Sequence, residues 1–267
     1  QENGFSLEGD IDNLTSDYYH LKALLPNVLG NTLPTEFSKL GKIVAVYENG
    51  FITIKKGEWK IRVERATHVP LTMGGKAKFM ITNVLAATLA AYLQGFKTDD
   101  ISLSLQTFIP SAAQTPGRMN IFEFKKFKVL IDFAHNPAGY KGVEEFLSSV
   151  VATKKIGIIA GVGDRRDEDI KECATIAARM FDHIIIRQEK YLRGRTEEEI
   201  IGLILEGIAL SGKTVTHEII SKEVEAIKHA IDTAEDGTFI TALSDVVTNA
   251  INIVQEYLDK ENESGNV

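Results

Sequence analysis

The chain has 267 residues, 44% hydrophobic and 25% charged, a composition that excludes fibrous, low-complexity and disordered proteins. Thirty Lys and Arg against 37 Asp and Glu leave a formal charge of -7 with no contiguous basic block, which removes the attraction that drives most nucleic-acid binding. The most apolar stretch, Leu85–Leu93, is cut off by Gln94-Gly95 and falls well short of the roughly 20 residues a membrane span needs.

Residues 1–41 mix Asn, Asp, Ser and Thr with short apolar groups, and only a short helix around Tyr18–Leu25 is predicted there. From Lys42 the pattern alternates: Ile43–Tyr47, a turn at Glu48-Asn49-Gly50, Phe51–Lys56 and Trp59–Ala66 predict a small antiparallel meander on which Trp59 packs. Ala77–Gln94 has helical periodicity and stops at Gly95, and Thr98-Asp99-Asp100 is expected to cap a second helix through Phe108. Pro110 and Pro116-Gly117 then separate a first unit, 1–109, from a second, 110–267.

In the second unit, strands are predicted at Lys128–Phe133, Ile156–Gly161, His183–Arg187, Thr214–Ile219 and Thr238–Leu243. They alternate with helices at Ala138–Val150, Asp167–Met180, Thr196–Ala209, Lys222–Thr233 and Ser244–Leu258. Near-continuous apolar strands between amphipathic helices imply an α/β class: a doubly wound, mostly parallel, Rossmann-like sheet covered on both faces.

A ligand of such a sheet lies beyond the carboxyl ends of the strands, so the polar residues just after each apolar run are the candidates. Asp132, at the end of a buried strand, needs either ribose hydroxyls or an Arg such as Arg118 as partner. His135 and Asn136 precede a Pro at a helix start, where a binding pair and a loop-packing or capping pair look alike. Gly161-Val162-Gly163 allows close backbone approach and leads into a helix N-terminus. Arg165 and Arg166 there either grip an anion or pair with Asp167-Glu168-Asp169 on a solvated face. Arg193-Gly194-Arg195 offers two guanidiniums suited to a carboxylate or phosphate. Cys173, the only cysteine, is expected to pack in the core and forms no internal disulfide, which with the lack of an apolar leader suggests the cytoplasm. No His spacing such as H-x-x-x-H occurs, so no metal ligand is assigned.

Three strings carry a resemblance: Thr115-Pro116-Gly117-Arg118-Met119-Asn120, Leu130-Ile131-Asp132-Phe133-Ala134-His135-Asn136-Pro137 and Gly163-Asp164-Arg165-Arg166-Asp167-Glu168-Asp169. Together they resemble the C-terminal ligase domain of the Mur ligase family. Val69–Asn83, with Phe79-Met80 where many family members carry His-Asn, is similar to the branch that builds a polymer from aspartate and arginine. The resemblance runs from about Val44 to Leu258.

What the resemblance implies is ATP-dependent amide-bond formation with Mg²⁺, in which a carboxylate becomes an acyl-phosphate and an amine displaces phosphate. In that branch arginine joins the side-chain carboxylate of a polyaspartate backbone. Residues 1–109 then correspond to part of a central, ATP-binding domain. By motif, Arg118 and Asp132 would hold the nucleotide, Asp132 on the ribose, with Asn136 beside them and Asn83 near the adenine. His135 and Arg166 are the catalytic candidates, and Gly163, Asp164, Arg165, Arg193 and Arg195 would face the amino acid and polymer. Glu189, Asp164 and Asp169 are the candidate carboxylates for choosing arginine.

No Gly-x-x-x-x-Gly-Lys-Ser/Thr occurs, so the loop that cradles ATP phosphates is missing. The expected acidic Mg²⁺ ligands of the central domain are missing too, so the chain alone is expected to be inactive. Its start at Gln1 fits the C-terminal part of a longer ligase, one that self-associates as family members do. Another Mur-type ligase, acting on a peptidoglycan precursor or a folate, and a non-catalytic nucleotide- or polymer-binding module are the alternatives.

Overall fold

The alternating stretch from Val44 folds as an antiparallel meander of β1 (Val44–Glu48), β2 (Phe51–Lys56) and β3 (Trp59–Arg65). This computed structural model describes residues 42–188 and 192–264, which fall into two units divided between Ile109 and Pro110. The helix expected around Tyr18–Leu25 and the candidate Glu189 lie outside the described residues.

In the first unit, Asn49 (φ 53°) and Gly50 (φ 82°) give the β1–β2 turn the left-handed conformations that match the twist of a hairpin. Ile52 and Ile54 of β2 are fully buried against α1 (Lys78–Leu93), through Ile81, Val84 and Leu85 for the former and Leu89 for the latter. The second helix, α2 (Thr98–Thr107), departs from the expected cap: Lys97 occupies the N-cap without a side-chain bond, and Asp99 and Asp100 sit in the first turn. There they complement the helix dipole. Glu64 of β3 anchors α2 by accepting from Ser102 Oγ at 2.7 Å and from Gln106 Nε2, while His68 Nδ1 and the Arg65 N–H hold its other oxygen. Trp59 does not pack into the meander; it is 48% exposed and tilts against Tyr92 of α1. It opens β3 at a turn, where no apolar face is left to cover it.

The second unit is a six-stranded sheet in the order β4-β5-β9-β6-β7-β8. Its strands are β4 (Asn120–Glu123), β5 (Lys128–Asp132), β6 (Lys154–Ile159), β7 (His183–Ile186), β8 (Thr216–Ile219) and β9 (Thr238–Leu243). All pairs are parallel except β4 with β5. The helices are α3 (Pro137–Ser148), α4 (Asp167–Met180), α5 (Glu197–Leu210), α6 (Glu223–Asp232) and α7 (Val247–Ser264). The unpredicted β4 is a four-residue edge strand whose pairing, not its own apolar pattern, makes it a strand. Right-handed crossovers β5→β6→β7→β8 run one way and place α3, α4 and α5 on one face, where they pack side by side. The return from β8 to β9 places α6 and α7 together on the other face.

Burial on both faces explains the continuous apolar runs. Val129, Ile131, Ile156, Ile158, Ile185, Ile240 and Ala242 meet Ala226, Ile227, Ala230, Ile253 and Val254 of α6 and α7. The alternate positions Leu130, Ile159, Ile184, Ile186 and Leu243 are buried as well, each such side chain contributing about 1.5–3 kcal/mol. Cys173 on α4 is only partly buried. The last helix begins at Val247, which leaves Ser244-Asp245 in the loop beyond β9 instead of inside the helix. No helix among the described residues is long and apolar enough to cross a membrane.

Candidate active site

Five parallel strands end on one edge, so their exits line up as β5, β9, β6, β7 and β8 across it. At the β5 exit, Asp132 is only 6% exposed, and its carboxylate joins two loops. Its Oδ2 accepts the Met119 N–H at 3.0 Å and its Oδ1 the Ala134 N–H at 2.8 Å. Burial pushes its pKa up, opposed by these two bonds and by the charges of Arg118 and His135. No ion pair closes between Asp132 and Arg118. The Arg118 guanidinium instead lies over the Phe133 ring, 5.3 Å from its centre.

The loop that presents Arg118 is fixed on both sides. Gly117 (φ 68°) and Met119 (φ 53°) are left-handed, and a Cβ on Gly117 would stand 2.6 Å from Val247 Cγ2. Asn120 Oδ1 accepts the Gly117 N–H at 2.7 Å, and its Nδ2 donates to Thr115 O at 3.0 Å. His135 packs edge-on against Phe133, with ring centres 4.8 Å apart, and its Nδ1 lies 2.9 Å from Phe133 O. A carbonyl only accepts, so Nδ1 carries the hydrogen and Nε2 of the neutral ring is an acceptor. Asn136 is the N-cap of α3: its Oδ1 accepts the Gly139 N–H at 2.8 Å, with Pro137 at the first helical position.

At the β6 exit most of the charged residues are already paired. Gly163 is buried, and a Cβ there would come within 2.1 Å of Leu192 O, so only glycine fits where the two loops meet. Arg195 clips these loops together. Its Nε donates to Gly163 O and its Nη2 to Arg165 O, both at 3.0 Å, and its Nη1 lies 2.7 Å from Asp167 and 2.9 Å from Glu199. Arg193 pairs with Asp164 at 2.5 Å on the exposed side. Arg166, the N-cap residue of α4, closes a two-pronged contact on Asp169 through Nη2 at 2.7 Å and Nε at 3.1 Å. Arg165 alone in this loop has no ion pair with another described residue, and its buried Nε makes no hydrogen bond.

The structure therefore brings Arg118, Asp132, His135 and Asn136 together at one exit, and Gly163, Asp164, Arg165, Arg166, Arg193 and Arg195 at the exit of β6 and the loop beyond β7. Asn83 belongs to the first unit, exposed on α1, with its Nδ2 3.6 Å from Met80 Sδ.

Sequence reasoning missed one cluster on this edge. Arg187, directly after β7, is 2% exposed; its Nη2 donates to Leu243 O at 2.9 Å and its Nη1 to Gln188 O at 3.2 Å. The same Nη2 lies 2.8 Å from Asp245 and 3.5 Å from Glu223, the first residue of α6. The signal was an Arg closing an apolar strand, but its acidic partners stand 36 and 58 positions further on, beyond the reach of spacing rules. Among the described residues no group of three or more His, Cys, Asp or Glu side chains could hold a metal ion.

A family model described as Mur ligase, glutamate ligase domain, matches residues 117–246. The cyanophycin synthetase of Crocosphaera subtropica is 44% identical over 212 residues, 79% of this chain and 24% of that protein. That of Trichormus variabilis is 41% identical over 233 residues, 85% of this chain and 26% of that protein. The chain thus spans about a quarter of the length of the curated relatives it matches. Among solved structures, E. coli FolC in complex with DHPP and ADP superposes with a TM-score of 0.56 at 17% identity, covering 80% of this chain and 45% of that one, a likeness of fold. Residues 117–246, within the second unit, therefore belong to the glutamate ligase domain of the Mur ligase family.

Proposed function

We propose that this chain is the C-terminal part of an ATP-dependent amide ligase of the cyanophycin synthetase kind, adding arginine to the aspartate side chains of a polyaspartate backbone. One observation carries the reading: identity of 44% to a cyanophycin synthetase over 79% of the chain. The ADP held by E. coli FolC, which shares the fold, supports a nucleotide substrate. In this reading the first unit is part of the central ATP-binding domain, and the remainder of a longer, self-associating cytoplasmic polypeptide supplies the phosphate-cradling loop.

The chemistry needs two displacements. A side-chain carboxylate oxygen attacks the γ-phosphorus of ATP and ADP leaves; the α-amino nitrogen of arginine then attacks the acyl carbon, phosphate leaves, and the nitrogen gives up a proton. Charge stabilisation and positioning dominate such steps. Arg118 and Arg165, the two arginines of these loops without a carboxylate partner among the described residues, serve as the anion holders. Asp132 keeps acceptor capacity for ribose while fixing the Arg118 loop, and Asn136 lies beside it. His135 Nε2 is an acceptor poised for a proton. Arg193 and Asp164 form the exposed, exchangeable face toward the polymer. Arg195 and Gly163 shape that face, and Arg166 acts through its pairing with Asp169. Magnesium supplies neutralisation of the phosphates when bound, but the described residues offer no set of ligands for it, and no step is assigned to it.

The test is phosphate release by the intact ligase with ATP, arginine and a polyaspartate primer. Arg118→Ala should raise KM for ATP about tenfold or more, the size of one lost charged hydrogen bond. Phosphate release only with a folate or a muramoyl-peptide acceptor would refute the substrate assignment. The missing Gly-x-x-x-x-Gly-Lys-Ser/Thr loop favours a second reading for the chain acting by itself: nucleotide binding without turnover.

A further inference from the structure

The cluster around Arg187 holds buried polar atoms that the described residues do not satisfy. Arg187 spends Nη1 and Nη2 on the carbonyls of Gln188 and Leu243, and its buried Nε makes no hydrogen bond. Asp245 Oδ1 and Glu223 Oε1 meet Arg187 Nη2 only as ion contacts, at 2.8 and 3.5 Å, neither in hydrogen-bond geometry, and among the described residues both polar atoms of the Gln188 amide lack a partner. So many unmet polar atoms in one place mark a position completed by a further polar group. One guanidinium stands against two carboxylates, which leaves an excess negative charge in a poorly solvated place. Burial raises the pKa of Glu223, with Asp245 adding to the rise and Arg187 and Ser244 opposing it. The two carboxylates still reach solvent, with 12% and 25% of their side chains exposed.

The cluster also lies beside the proposed nucleotide edge. The Ser244 N–H donates to Asp132 O at 2.9 Å, and β9, which leads into Ser244-Asp245, pairs directly with β5. Adjacent strands stand about 4.8 Å apart, so a group at Asp245 is a strand's width from the Arg118–Asp132 loops.

We propose that Glu223 and Asp245 receive the cationic side chain of the incoming amino acid and so determine that the ligase takes arginine. The proposal rests on the ligase reading above and adds to it the residues that choose the amine. A guanidinium there would add the second positive charge that two carboxylates call for and give Glu223 Oε1 and Asp245 Oδ1 the aligned donors that the Arg187 contacts do not provide. Arg187 acts as a positioning residue, holding the two carboxylates side by side.

The experiment measures kcat/KM of the intact ligase for arginine and for citrulline, its uncharged near-isostere, in the native enzyme and in Glu223→Gln and Asp245→Asn. The ratio within one variant is unaffected by the fraction of enzyme that is folded. The arginine-to-citrulline ratio should fall about tenfold or more in each variant, with KM for ATP unchanged. A ratio within threefold of native in both variants overturns the proposal. Where a variant makes no product, calorimetric titration with arginine decides: binding weakened about tenfold supports the proposal and unchanged binding overturns it. A native enzyme that prefers a neutral or acidic amine would instead defeat the ligase reading, an outcome visible before any substitution is made.

Discussion

Replacing Asp132 with Ala tests whether its carboxylate is a structural knot. The substitution removes the acceptor for the buried Met119 N–H and for the partly buried Ala134 N–H, bonded at 3.0 and 2.8 Å. An orphaned buried donor costs about 1–3 kcal/mol, with the Ala134 group toward the lower end because water reaches it. Part of this loss is offset because a buried charge disappears along with the acceptors. A net loss of about 1–4 kcal/mol follows, which in a unit of this size lowers Tm by about 3–12 °C. Asp132→Asn keeps one acceptor and turns an amide N–H toward the other donor, so it should fall between Ala and the native residue. The pH dependence has a definite sign. Burial raises the folded-state pKa above that of an ordinary aspartate, so the folded form holds the proton more tightly than the unfolded chain. The native carboxyl is therefore least costly at acid pH, and its advantage over Asn shrinks as pH rises through the folded pKa. Urea titrations of the three proteins between pH 3.5 and pH 7, with nucleotide affinity measured well below each Tm, separate the structural from the ligand role. A loss under about 0.5 kcal/mol for Asp132→Ala would show that the loops do not depend on it.

Gly163→Ala should lower the urea midpoint of the second unit, because the new Cβ would lie 2.1 Å from Leu192 O and the loops must part; strain of this kind costs about 1–3 kcal/mol. An unchanged midpoint would mean the loops open freely. Burial works against the charge on Glu64, but bonds from Gln106, Ser102, Arg65 and His68 outweigh it and lower its pKa below 4.5. Its stabilisation is therefore complete above the unfolded pKa and lost as pH falls through the folded one, so Glu64→Gln should flatten the acid limb of first-unit unfolding below about pH 4.5. Cys173, whose thiol is pushed up to about 12 by burial with Glu172 and Asp169 adding to the effect, should resist iodoacetamide at pH 8 until the protein is denatured. Equal labelling of native and denatured chain would contradict that.

Local pattern made most elements legible. Phe51–Lys56, Asp167–Met180 and Thr238–Leu243 were read with their observed bounds, because periodicity and end signals agree at these positions. The strand Asn120–Glu123 was not read, since an edge strand of four residues is made by its partner. Composition placed polar residues at the strand exits but said nothing of which arginine was already occupied. Arg195, read as a gripping residue, spends its fork on the Gly163 and Arg165 carbonyls, contacts set by chain reversal that no spacing rule encodes. Of the two partners the sequence offers for Asp132, ribose hydroxyls or Arg118, the Arg118 guanidinium lies over Phe133 instead of closing an ion pair.

The position of β9 decides the shape of this edge. It is the last strand in sequence yet sits between β5 and β6, near the middle of the sheet. Its exit therefore delivers Ser244-Asp245 next to Asp132 on one side, while Arg187 reaches Leu243 from β7, past the end of β6. A chain that laid down β9 at the sheet's edge would separate Asp245 from both, with the same sequence of elements and the same periodicity. Strand order is thus the step at which scattered acids and arginines become neighbours. It follows that an exchange of Asp245 with Arg187 should preserve their pairing yet reverse which charge faces Glu223, leaving two acids in contact. Such a swap should destabilise the unit more than Asp245→Asn, which removes one acid and keeps Arg187 against Glu223, because an unpaired buried acid costs more than a lost ion pair.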